Sequence, residues 1–86
     1  MISFMCTVED EHGIHARPAG VIVNCAKKFE SEVTVRKDSR EANAKRLLAV
    51  MSLGAKHGEV LEFRVDGRDE ADAARELQRV CREELG

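Results

Sequence analysis

The chain has no Trp, no Tyr, three Phe and one Pro, so an aromatic core is excluded and the interior has to be aliphatic. No apolar run approaches the roughly 20 residues that a membrane-spanning helix requires. The opening MISFMCTVED lacks a basic segment and an apolar stretch long enough for a secretory signal. The expected location is therefore the cytoplasm, without membrane insertion. The three cysteines, Cys6, Cys25 and Cys81, show no CxxC spacing, which argues against a zinc or redox centre. In a reducing compartment they read as small buried hydrophobes. An excess of positive charge is also missing. Fourteen Lys and Arg against sixteen Asp and Glu leave a net charge of −2, which disfavours nucleic acid as a partner.

What is present is the mix of a globular unit: 43% apolar and 35% charged residues bury more than a disordered chain can. With no linker, repeat or low-complexity tract, residues 1–86 read as one domain, and a monomer is expected. Ile2, Phe4, Cys6 and Val8 alternate with Ser3, Met5 and Thr7, the period of a strand with one buried face. A polar loop, Glu9 to Ile14, follows. From Ala16 the period becomes helical, with Ala19, Ile22, Ala26 and Phe29 on one side, Val21 and Cys25 beside them, and Pro18 in the first turn. Val33 and Val35 mark a second strand, Asp38-Ser39 a turn, and Glu41 to Asn43 a short third strand. Leu47 to Leu53 forms a brief apolar helix that Gly54 can end.

Leu61, Phe63 and Val65 alternate again, and Asp66-Gly67 turns the chain into a last helix. That helix has Asp69 as N-cap, Asp72 three residues on, and an inner stripe of Ala74, Leu77, Cys81 and Leu85. The order βαββαβα implies an α+β open-faced sandwich. A four-stranded antiparallel sheet is covered on one face by three helices, and Ser3, Thr7, Thr34, Arg36, Glu62 and Arg64 face solvent.

The segment that carries chemistry is His12-Gly13-Ile14-His15-Ala16-Arg17-Pro18-Ala19. It sets His15 at the entrance of the first helix, where unpaired amides and the positive end of the helix dipole favour an anion. Arg17 adds a cation whose forked donors suit phosphate oxygens. A neutral imidazole there can attack a phosphoryl group, and the amides of Ala16 and Arg17 can then hold the charged product. Gly13 permits an unusual turn and leaves room for a partner. Taken alone, the pattern equally fits a histidine that merely caps a helix. A metal site on His12 and His15 lacks a third ligand at a recognisable spacing.

Two stretches together raise a family resemblance. His12 to Ala19 resembles the active-site signature of HPr, the histidine-containing phosphocarrier of the bacterial phosphoenolpyruvate-dependent sugar phosphotransferase system. Asn43-Ala44-Lys45 continuing to Val50-Met51-Ser52-Leu53-Gly54 resembles that family's second signature. The resemblance implies a stoichiometric phosphocarrier, not an enzyme, without cofactor or metal. His15 would accept a phosphoryl group on Nδ1 from enzyme I and pass it to IIA domains of sugar permeases, with Arg17 steadying the phosphate. Leu47, Leu48 and Met51, joined by Ala16, Ala19 and Gly20 and by the cations Lys45 and Arg46, would form the docking surface.

Arg46 departs from the family pattern, because many relatives carry a regulatory serine there that a kinase phosphorylates. Arginine has no hydroxyl, so no such serine exists at 46; Ser52 is the nearest hydroxyl that could reopen this role. Arg46 reads either as charge complementarity with an acidic partner or as drift after regulation was lost. His12 either reaches the phosphate on His15 or is a solvated loop residue. Two alternatives stay open: a carrier dedicated to a nitrogen-regulatory or other specialised branch, and a binding-only regulatory paralogue.

Overall fold

Alternating apolar residues in four short segments, interleaved with three helical stripes, fold into two layers. The computed structural model describes all 86 residues. The elements are β1 (Ile2–Thr7), α1 (Ala16–Lys27), β2 (Glu32–Lys37), β3 (Arg40–Asn43), α2 (Leu47–Ser52), β4 (Val60–Asp66) and α3 (Glu70–Leu85). Every strand pairing is antiparallel, in the order β1-β4-β2-β3. This is the expected open-faced sandwich.

The register puts like faces together. Phe63 on β4 stands opposite Phe4 on β1 and Val35 on β2, and Val65 stands opposite Ile2 and Val33. The Phe4 and Phe63 rings stack with centroids 5.0 Å apart. Phe4, Val33, Val35, Leu61, Phe63 and Val65 are buried under the helices, while Ser3, Met5 and Thr7 lie exposed on the other face. Thr34, Arg36, Glu62 and Arg64 are partly exposed there. The aliphatic expectation holds, since 24 mostly aliphatic residues form one cluster.

The helices differ in detail from the sequence reading. On α1 the buried residues are Pro18, Ala19, Ile22, Val23, Cys25 and Ala26. Val21 points outward at 36% exposure, because Val23, two residues on and about 200° round the helix, takes the inward side. Phe29 lies beyond the end of α1 and packs half-buried against the core. On α3 the stripe is wider than four residues and includes Ala73 and Val80. A long helix lying across a sheet and against α1 needs a broader apolar face than a two-layer contact does.

Asp69 occupies the N-cap position of α3 but makes no capping bond within it. Its carboxylate instead accepts the N–H groups of Glu30 (2.9 Å) and Ser31 (3.0 Å) and the Ser31 hydroxyl. Those bonds, the Ser31 hydroxyl first and then the Glu30 amide, hold the Asp69 carboxyl below the usual carboxylate range. Gly67 allows this approach, since a methyl group there would stand 2.6 Å from Ser31 Cα.

The cysteines also need correcting. Cys25 and Cys81 are buried, but Cys6 is partly exposed. The Cys6 and Cys81 thiols meet between β1 and α3. The Cys81 thiol beside it holds the Cys6 thiol below its ordinary range, and the same contact with burial pushes Cys81 up.

Candidate functional site

The loop Glu9–Ile14 is fixed at both ends before it delivers His15. At its start, the N–H groups of Glu9 (2.6 Å) and Asp10 (3.1 Å) both donate to the Leu85 carbonyl at the end of α3. At its end, the buried Ile14 donates its N–H to the Ala55 carbonyl, 2.9 Å away. Gly13 between them has φ +68, a backbone region that residues with a side chain seldom adopt. A methyl group on Gly13 would also collide with the Ala55 carbonyl oxygen. The turn expected of Gly13 is present. The room expected for a partner is not, because the chain after α2 fills that space.

His15 is the N-cap residue of α1, with extended backbone and no side-chain cap bond. Its imidazole is therefore not spent on the helix. The side chain is 45% exposed, and Nε2 lies 4.0 Å from Asp10 Oδ2. The first turn of α1 holds no acidic residue, and Pro18 at its third position contributes no N–H. The amides of Ala16 and Arg17 thus stand free of any side-chain acceptor at the positive end of the helix. Arg17 is exposed and makes neither an ion pair nor a hydrogen bond within the chain. A cation in the first turn of a helix opposes the dipole by about 0.3–1 kcal/mol, so Arg17 does not serve helix stability.

Asp10 is the residue that the sequence reading missed. Its Oδ1 accepts the His12 N–H at 2.8 Å and its carbonyl accepts the Gly13 N–H at 2.9 Å. These bonds aim the remaining oxygen at His15. The surroundings of His15 are thus mixed in charge, not uniformly positive. An Asp two residues before a His and three before a Gly is the available signal, since such spacing forms a side-chain turn. His12 lies close by, with its ring edge-on to that of His15 and centroids 6.0 Å apart. It is solvated as well as adjacent, being 73% exposed beside Glu11. No group of three or more potential metal ligands gathers in the molecule.

The residues expected to dock partners fall into two groups. Ala16 is exposed and Gly20 partly so, beside α2. On α2, Leu47 and Leu48 are 40% and 79% exposed, and Met51 is half-buried against the core. Val50 and Leu53 are buried. Six residues of helix and the Leu53 that caps them cannot turn five large apolar side chains to one side, and Leu47 and Leu48 are the ones left out. Arg46 is exposed at the N-cap of α2 and caps nothing with its side chain.

Ala19 and Lys45 do not belong with them. Ala19 is fully buried beneath α1. Lys45 sends its ammonium group to the Phe29 carbonyl at 2.8 Å, where the end of α1 supplies an unpaired acceptor. Ser52 is exposed, and its hydroxyl donates to the Ala49 carbonyl at 2.7 Å.

The chain is similar to known proteins over nearly its whole length. The family model described as the PTS HPr component phosphorylation site matches residues 2–83. The phosphocarrier protein HPr of Xylella fastidiosa is 38% identical over 80 residues, covering 93% of this chain and 90% of that protein. The multiphosphoryl transfer protein of Haemophilus influenzae is 37% identical over 83 residues, 93% of this chain, yet the match spans only 17% of that protein's length. Among solved structures, the histidine-containing phosphocarrier protein of Mycoplasma superposes with a TM-score of 0.93 at 29% identity, covering 95% of this chain and 93% of that one. The fold, the matched length and these relatives place the chain in the HPr family of the phosphotransferase system, whose members are phosphocarriers and not catalysts.

Proposed function

We propose that the chain carries phosphoryl groups on His15, taking them from phosphorylated enzyme I and passing them to IIA domains of sugar permeases. The observation that carries this reading is the placement of one partly exposed, uncapped imidazole at the start of α1. Free amides and the unpaired Arg17 guanidinium stand beside it. The Nδ1 lone pair attacks phosphorus, and the bond between phosphorus and the donor breaks with its electron pair leaving on the donor. The amides of Ala16 and Arg17 and the Arg17 side chain share the charge of the bound group.

Residues 1–86 act as one carrier domain and as a monomer, in keeping with a core cluster that closes within a single chain. Ala16, Gly20, Leu47, Leu48, Met51 and Arg46 form the docking face. A small patch of this kind suits short-lived encounters, which bury less than about 1,200 Å². We place the protein in the cytoplasm, where its thiols stay reduced. Incubation with labelled phosphoenolpyruvate and enzyme I tests the reading: the label is alkali-stable, acid-labile and absent from His15→Ala. Label that survives that substitution refutes it.

A further inference from the structure

The anchored carboxylate of Asp10 suggests more than a loop contact. Three bonds hold this residue: its N–H on the Leu85 carbonyl, its carbonyl on the Gly13 N–H, and Oδ1 on the His12 N–H. Only Oδ2 is uncommitted, and it stands 4.0 Å from His15 Nε2. That separation is an ion-pair distance, longer than a hydrogen bond. The His12 ring also lies near, edge-on with its centroid 6.0 Å from that of His15. Glu11 faces His12 at 3.6 Å and does not face His15. Arg17 is the nearest free cation along the chain.

We propose that Asp10 is a positioning residue that fixes the His15 tautomer, keeping the proton on Nε2 and the lone pair on Nδ1. A neutral imidazole carries one proton, and the group facing one nitrogen decides which nitrogen holds it. A carboxylate cannot donate, so the nitrogen facing it has to be N–H. The other nitrogen is then the nucleophile.

The proposal rests on the carrier reading and adds the balance of protons to it. As Nδ1 bonds phosphorus, the donor departs with the electron pair of its own bond to phosphorus, and Nε2 keeps its proton. The phosphorylated ring is then cationic, with its N–H directed at the Asp10 carboxylate. On delivery the N–P bond breaks, the pair returns to Nδ1, and neutral imidazole with Nε2–H is regenerated. No proton has to enter or leave in either direction. The histidine is thereby returned in the form that accepts the next group.

The test is 15N NMR of the imidazole nitrogens in the intact protein at about pH 8.5, well above the ordinary histidine range, for wild type, Asp10→Asn and Glu11→Gln. Asparagine retains an oxygen for the His12 N–H, so the turn survives. Wild type is expected to show His15 protonated on Nε2, Asp10→Asn a shift toward protonation on Nδ1, because the amide NH2 that replaces Oδ2 is a donor, and Glu11→Gln the wild-type pattern. Phosphoryl acceptance from enzyme I should fall about fivefold in Asp10→Asn, the factor expected of one charge about 4 Å away in a watery setting. An unchanged tautomer in Asp10→Asn overturns the proposal, as does an equal change in Glu11→Gln. The NMR measurement needs no partner protein. If wild type accepts no phosphoryl group on His15, the carrier reading fails, while the tautomer spectra still decide the role of Asp10.

Discussion

Gly13 is where the sequence, the loop and the site are most tightly joined, and Gly13→Ala tests that joint. Two penalties follow from the structure. Gly13 has φ +68, and holding a residue with a side chain in that region costs about 1–2 kcal/mol. The new methyl group also collides with the Ala55 carbonyl oxygen, so the Ile14 N–H bond to that carbonyl has to stretch or break, at about 0.5–1.5 kcal/mol. The sum is about 1.5–3.5 kcal/mol, or a fall in Tm of about 10–20 °C for a domain of this size.

Gly54→Ala is the control. Gly54 has φ +62 with no atom near the position of an added methyl group, so only the backbone penalty applies. Both variants share the smaller entropy of an unfolded chain bearing Ala, and that contribution cancels in the comparison. Urea unfolding of the pair should therefore show Gly13→Ala the less stable by about 0.5 kcal/mol or more. Equal losses would mean that the Ala55 contact does not hold the loop, and the account of how His15 is positioned would fail with it.

Four further outcomes are expected. Arg17→Glu raises stability by about 0.5–2 kcal/mol, since no bond within the chain is lost and an anion replaces a cation at the positive end of α1, and slows phosphoryl transfer by about 10- to 100-fold, the value of a charge-assisted contact; urea unfolding and stopped-flow transfer rates check it. Leu48→Asp, at a side chain 79% exposed, changes stability by no more than about 0.5 kcal/mol and weakens enzyme I binding about tenfold by calorimetry. The depressed Asp69 carboxyl stabilises the fold above its unfolded value, near 3.8, and this is lost as pH falls through the lower folded value. Acid unfolding of Ser31→Ala should accordingly show a shallower loss over that range than wild type. Incubation with an active protein-serine kinase and ATP should leave residue 46 unmodified; phosphoserine at Ser52, whose exposed hydroxyl is available, would restore a regulatory role.

Much of the architecture was legible because it is local. Phe4, Cys6 and Val8 announce a strand by their period, and Leu77, Cys81 and Leu85 announce a helix in the same way. His15 was legible because a helix entrance and its neighbours Arg17 and Pro18 lie within four residues. What was hidden depends on residues far apart or on a single turn of backbone. The ammonium of Lys45 goes to a carbonyl 16 residues away, and Asp69 leaves its cap for Ser31, 38 residues away. No periodicity encodes either partner. Ala19 fits both the docking patch and the inner stripe of the helix by sequence, and packing buries it in the core. Asp10 was overlooked because its role depends on the turn through His12 and Gly13, which brings a residue five positions earlier back to the imidazole.

The most direct measurement is mass spectrometric mapping of the protein after exposure to phosphorylated enzyme I, with digestion kept alkaline. The account predicts a single phosphoryl group on the peptide containing His15, assigned to that residue by fragmentation and lost after acid treatment. A phosphoryl group on His12 or His57, or a modification that survives acid, would contradict it.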